Sequence, residues 1–337
     1  MFRQDRTNPS TAVSNWKGRR DSKRGHPSTA VSTWLNGGLF GPGVANGFAY
    51  MAGGYVSEST QVQKWFLPID TCEVLTTTLD RGGRYGGCPW ANQGVKGYVA
   101  SGVGVIGGAV GSTIWQIDMT NDSGSTNGTS LSAPATEAAS STNSGSFGYA
   151  YSVYDPATHI GVNKFVFSSD TRSHIGSMSV PRWYYGGISN SGVAGYPGGG
   201  NSDLSIDKFL FSNDTRTTLS GTLAAPQDSH PEGASDSGTA GYFGGAAWAD
   251  DVTKVAWTSD TVSVLSAVLR TDLYGFCGWG DKGVACYWAL GSGGGYWSSA
   301  EKMALPSETV STTASVAHAS NNRLYSNGIP NCAGMQP

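Results

Sequence analysis

Gly192-Val-Ala-Gly-Tyr196-Pro-Gly-Gly-Gly200, then Ile206-Asp-Lys208-Phe-Leu-Phe-Ser-Asn-Asp214-Thr215, then Leu219, Leu223 and Asp236-Ser-Gly238 decide how this chain is read, because the residues that follow repeat them. Thr239-Ala-Gly-Tyr242-Phe-Gly-Gly245 leads to Val252-Thr-Lys254-Val-Ala-Trp-Thr-Ser-Asp260-Thr261, Leu265, Leu269 and Asp281-Lys-Gly283. Six copies align on Tyr50, Tyr98, Tyr149, Tyr196, Tyr242 and Tyr287, spaced 45 to 51 residues apart. A period in the forties belongs to propeller blades or helical arrays.

Two polar positions keep step with the tyrosine. One is Lys64, Gln116, Lys164, Lys208, Lys254 and Lys302; six residues after each stands an acid, at Asp70, Asp122, Asp170, Asp214, Asp260 and Glu308, followed by Thr or Ser. Apolar residues fall one and three places after the lysine position, as in Trp65 and Leu67, Phe165 and Phe167, or Val255 and Trp257. That is period two, the signature of a strand. The tyrosine lies on a glycine-rich strand, whose missing side chains let another backbone approach. Leucines five and nine places past the acid mark a third strand. A fourth, more variable segment closes on Asn or Asp, any residue, then Gly, at Gly94, Gly145, Gly192, Gly238 and Gly283. That tripeptide fits a tight turn with glycine at positive φ.

Four strands repeated six times predict an all-β protein, a six-bladed β-propeller of four-stranded blades. The 49 glycines and the 13% of charged residues suit that class better than helices. The second copy is longer and loses its lysine, which predicts a surface loop over 121–130. Ser326-Asn-Gly328 followed by Ile-Pro-Asn-Cys-Ala-Gly334 looks like the start of a seventh copy, and the expectation is that it closes the ring against the first blade.

Residues 1–45 stand outside the repeat and read as an extended basic arm, with the propeller over 46–337. Residues 1–26 hold seven Lys or Arg and two Asp, leaving 14 basic and 22 acidic side chains in the rest, so arm and body have opposite sign. The arm carries its own duplication, Pro9-Ser-Thr-Ala-Val-Ser-Asn-Trp16 and Pro27-Ser-Thr-Ala-Val-Ser-Thr-Trp34. Val13, Trp16, Arg19, Arg20, Val31 and Trp34 are the candidate partner-docking residues, since apolar side chains on a free arm favour docking, and a peptide used twice suggests two equivalent grooves in a symmetric assembly. Phosphates would attract the same charge, but no aromatic residues interleave the basic ones, so nucleic acid is disfavoured as a partner.

Five cysteines without C-x-x-C spacing argue against a disulfide framework. No apolar run approaches a membrane span, and the basic N-terminus lacks the apolar stretch of a secretion signal, so the chain is expected to be made in the cytoplasm.

The stretch Ser235-Asp-Ser-Gly-Thr-Ala-Gly-Tyr-Phe-Gly-Gly245 with Phe209-Leu-Phe-Ser-Asn-Asp-Thr215 resembles repeats of tailed-phage virion proteins, cyanophage types included, and its glycine doublet after an aromatic resembles kelch-type propellers. The resemblance covers 48 to about 328. It implies a structural or adsorption component of a tail or capsid, and a tail- or fibre-associated place is the expectation; other virion proteins, reached through the arm, are the expected partners, with a host surface glycan as a second candidate.

Catalysis has no recognisable code here. The five histidines share no metal-ligand spacing, no G-x-S-x-G, H-E-x-x-H or phosphate loop occurs, and no cofactor is expected. The regular Lys and acid read as structural: Asp before Thr makes a turn and accepts backbone N–H groups, while the lysine lays its stem over the neighbouring blade. The expectation is a non-enzyme anchored by its arm, with the propeller facing outward. The alternative is a free glycan-binding lectin, with Trp183, Tyr184, Tyr185, Trp279 and Trp297 as candidate sugar-stacking rings.

Overall fold

The computed structural model describes residues 47–54, 60–67, 69–80, 86–102, 111–135, 138–153, 160–200, 203–224, 232–236, 238–246, 249–269, 277–289, 300–313, 327–331 and 335–336. The arm therefore lies outside the described residues, as does Trp297.

The described residues make six antiparallel sheets. In order they use β1 (Phe48–Ala52), β2 (Gln61–Phe66) and β3 (Thr71–Thr78); β4 (Cys88–Asn92), β5 (Lys96–Ala100), β6 (Thr113–Asp118) and β7 (Gly124–Ser130); β8 (Ser140–Asn143), β9 (Phe147–Val153), β10 (Gly161–Val166) and β11 (Thr171–Ser177); β12 (Gly186–Asn190), β13 (Ala194–Gly198), β14 (Ser205–Leu210) and β15 (Arg216–Thr222); β16 (Glu232–Asp236), β17 (Ala240–Ala246), β18 (Ala249–Ala256) and β19 (Thr261–Val268); β20 (Cys277–Asp281), β21 (Ala285–Ala289), β22 (Ala300–Ala304) and β23 (Thr309–Thr312). Two strands remain, β24 (Asn327–Asn331) and β25 (Met335–Gln336). This is the expected six-bladed propeller.

The blade is offset from the sequence repeat by one strand. The variable segment that ends each copy does not pair with its own copy; it forms the innermost strand of the next blade, as β4 does against β5 through Asn92↔Lys96. The first blade has no preceding copy to supply that strand. β24 supplies it, pairing with β1 from Phe48↔Asn331 to Ala52↔Asn327, so that Asn331 takes the frame of Asn92, and the ring closes as the sequence predicts. The last strand, β25, then pairs with β16 and also approaches β12 and β20, the inner strands of the flanking blades, which brings residues 335–336 to the axis.

The inner strands run backbone against backbone. A Cβ on Gly187 would lie 2.0 Å from the Ser140 carbonyl oxygen, on Gly233 1.9 Å from that of Gly187, and on Gly280 1.9 Å from that of Ser235. This corrects the reading of the tyrosine strand. Its glycines make room for side chains: Gly148 faces the ring of Trp90 and Gly241 that of Trp257. The close backbone approach belongs to the inner strands.

Between the blades lie aromatic layers. Trp65 of the first blade packs on Trp279 and Tyr287 of the sixth, and Trp90 of the second stacks on Phe165 of the third at 5.4 Å. Each fully buried ring of this kind contributes about 1.5–3 kcal/mol from the area it removes from water. The expected loop over 121–130 is instead a turn and the outer strand β7. The extra residues of the second copy fall in the connection between β5 and β6, where Tyr98 and Gln116 stand farther apart in sequence than the matching pairs.

Candidate functional site

The repeated tyrosine, lysine and acid meet across blade boundaries. Tyr50 donates its hydroxyl to Asp122 of the next blade, and Lys64 Nζ reaches both oxygens of that carboxylate at 2.9 Å. Tyr149 and Lys164 do the same at Asp214, the lysine at 2.9 and 3.1 Å. Tyr196 and Lys208 hold Asp260 at 3.0 and 2.6 Å, Tyr242 and Lys254 hold Glu308 at 3.0 and 2.5 Å, and Tyr287 and Lys302 hold Asp70 at 3.0 and 2.7 Å, across the seam where the ring closes. Burial first, and then the bonded carboxylate, push the Tyr50, Tyr149, Tyr196 and Tyr287 phenols well above their ordinary range, so they stay protonated donors.

Local geometry explains why an acid stands there. All six acids have φ between 50° and 60°, a left-handed position that Asp tolerates better than most residues. The acid's own N–H donates to the carbonyl four residues back, as from Asp122 to Asp118, Asp214 to Leu210 and Glu308 to Ala304. The side chain just before it caps the turn, with Asn121 accepting from Ser123 N and Asn213 from Thr215 N. The structural reading of the pair therefore stands, with its mechanism corrected: the neighbour does the local capping, and the carboxylate is free to reach back to the preceding blade.

A second polar position escaped the sequence reading. The residue just before the lysine is buried and polar in five blades, at Gln63, Asn163, Asp207, Thr253 and Glu301. A shift of register beside it in four of these blades turns the side chain toward the outer strand and the loops. Asn163 accepts from Ser132 N at 2.9 Å, and Asp207 from Thr218 Oγ1 at 2.7 Å and from Ser179 N at 2.8 Å. Its recurrence in frame was the available signal.

In the fourth blade this position anchors an irregular loop. Arg182, fully buried, donates to the carbonyls of Gly199 and Ser205 at 2.9 and 2.8 Å and to Ser205 Oγ at 2.6 Å, and lies 3.4 Å from Asp203 and 3.8 Å from Asp207. Burial opposes ionisation of Asp203, but bonds from Ser205 and the Arg182 charge outweigh it and hold its carboxyl below the ordinary range. Arg182 thus ties its own loop to Gly199, Asp203 and Ser205 of the fourth blade. Next to Arg182, Trp183 is 41% exposed and Tyr184 is half-buried with φ of 62°, a strained backbone for a bulky residue.

The candidate sugar-stacking residues thus separate. Trp183 and Tyr184 share one pinned loop. Tyr185 is 3% exposed, and Trp279 is fully buried against Trp65 and Tyr287, so neither presents a ring outward; the inter-blade layer consumes them. Trp297 lies outside the described residues, as do Val13, Trp16, Arg19, Arg20, Val31 and Trp34. Among the described residues no cluster of three or more His, Cys, Asp or Glu is placed to hold a metal ion, and no helix is long and apolar enough to cross a membrane.

No family model matches the chain, and no curated protein sequence does. A solved structure titled "Structure of YjhT" matches with a TM-score of 0.63 at 10% identity, covering 80% of this chain and 95% of that one. At that identity the likeness is one of fold.

Proposed function

We propose that this protein is a non-enzymatic structural component of a tailed-phage particle, tail-associated, fixed by its N-terminal arm and presenting the propeller for assembly or host adsorption. The observation that carries the reading is where the reactive side chains go. Phenols and carboxylates recur in every copy and ammonium groups in five of the six, and in those five seams they are consumed by one another. The axis, where a ring of blades offers its natural cavity, receives the strand at 335–336. A propeller with a duplicated arm peptide suits anchoring, and the resemblance of its repeat to kelch-type and virion-protein repeats is what favours a phage particle.

Particles purified with the full chain contain it in a fixed copy number, and a chain lacking residues 1–35 is lost from them although it still folds. Absence of the full chain from particles would sink the proposal.

Glycan binding is the second reading, favoured by Trp183 beside Tyr184 on a loop that Arg182 has already ordered, so little entropy is lost on binding. Glycan-array binding that persists without the arm and disappears in Trp183→Ala supports it; an unchanged array profile in that variant removes it.

A further inference from the structure

One seam departs from the other five. Between the second and third blades the tyrosine is Tyr98 and the acid Asp170, with the same left-handed backbone at φ of 50°, but Gln116 replaces the lysine. The Gln116 amide turns away from the acid: its oxygen accepts from Asn127 Nδ2 at 3.0 Å and Lys96 Nζ at 3.4 Å, and its nitrogen donates to Ser125 Oγ at 3.2 Å. Tyr98 is fully buried, and its hydroxyl meets no hydrogen-bonding group among the described residues; the same holds for the buried Oδ1 of Asp170. Elsewhere the seam is built like its neighbours, with Thr129 donating to the Asp170 carbonyl as Thr77 does to that of Asp122.

A buried carboxylate oxygen and a buried phenol, both without partners, cost free energy that a cation between them would recover. Five examples on the same scaffold show what that cation is. It is an ammonium group, held by the acid and beside the tyrosine, on a lysine side chain that is 13% to 27% exposed in those five seams; at the Tyr98–Asp170 seam both oxygens are covered, so an ion enters as the side chains over them shift. We propose that the Tyr98–Asp170 seam is a binding site for a small primary ammonium ion, which takes the place of the missing lysine head group and ties the second blade to the third.

The test is chemical complementation of the full chain, followed by thermal unfolding at constant ionic strength. Methylammonium, which reproduces the last carbon and nitrogen of a lysine, raises the Tm by about 1–2 °C in a saturable way, whereas tetramethylammonium, which has no N–H to donate, does not. Gln116→Lys, with its own ammonium in the seat, melts higher without added amine and no longer responds. Asp170→Asn also loses the response, and it decides the question if Gln116→Lys fails to fold. Equal effects of the two amines, or a methylammonium response that survives in Asp170→Asn, would overturn the site.

Discussion

The inner and outer halves of each blade are joined to their neighbours by opposite means. Near the axis the inner strands approach backbone to backbone, and the contact depends on the absence of a side chain at Gly187, Gly233 and Gly280. Farther out the blades are tied by long side chains, with Tyr and Lys reaching to an acid on the next blade. Close approach tolerates no added atom, while a tether of partly solvated charges yields by degrees. The ring should therefore be brittle at its centre and forgiving at its rim.

The largest effect is expected where the centre is completed from far along the chain. Ending the chain at Ser326 strips the first blade of its inner strand, leaving the ladder edge of β1 open and removing the contacts of β24 with β4 and β20. The cooperative melting transition of the full chain should disappear from circular dichroism. A truncated chain that melts like the full one would show that the ring closes without β24.

Gly187→Ala and Gly233→Ala come next, because each new methyl meets a carbonyl oxygen at 2.0 Å or less. Two strands must separate, at a cost of about 2–3 kcal/mol in denaturant unfolding. Gly192→Ala is the control. Nothing lies within 4 Å of its added Cβ, and only the φ of 80° opposes it, for about 1 kcal/mol. Equal losses at Gly187 and Gly192 would mean that conformation alone, and not close approach, governs the inner strands.

At the rim, Asp260→Ala leaves the Tyr196 hydroxyl and Lys208 Nζ without their acceptor. With the lysine side chain 17% exposed and the carboxylate 31% exposed, water recovers part of the loss, and about 1–2 kcal/mol remains. Asp170→Ala, in buffer without added amine, should cost less, since no side chain of the described residues donates to the Asp170 carboxylate. Equal losses at Asp260 and Asp170 would show that the acid acts through its turn and not through its tether.

What was legible in the sequence follows the same division. Tyrosine, lysine and acid recur in frame because the seams make the same demand, and the closing strand was visible because Ser326-Asn-Gly328 and the residues after it resemble the start of a further copy; that Asn331 takes the frame of Asn92 appears only in the pairing. Pairing of the acid with the preceding blade was hidden, since spacing along the chain says that six residues separate Lys208 from Asp214 but not that Lys208 reaches Asp260. The aromatic candidates misled for a related reason. Trp183 and Trp279 are equally large and apolar, and only the neighbouring blade decides which of them is covered. Arg182 was missed because it occurs once, outside the repeat, and its partners at Asp203 and Asp207 come from a different loop and strand.

A pH-dependent effect lies at the inner end of the sixth blade, where Asp281 occupies the frame that holds asparagine at Asn92, Asn143 and Asn190. Burial lifts its carboxyl to about 6; nearby Lys302 pulls the other way, and Asp70 adds to the rise. An unfolded aspartate titrates near 3.9. Between those two values the folded chain holds a proton that the unfolded chain has released, so stability falls as pH rises through the window and returns on acidification. Asp281→Asn removes the titration while keeping the side-chain shape, and gives the residue found at 92, 143 and 190. The variant should melt above the parent at pH 8, with the difference shrinking to nothing by about pH 4, as measured by Tm against pH for the two chains. A constant offset across that range would mean that the substitution acts through packing, and an inner end that ignores its own charge would narrow the contrast between centre and rim to sterics alone.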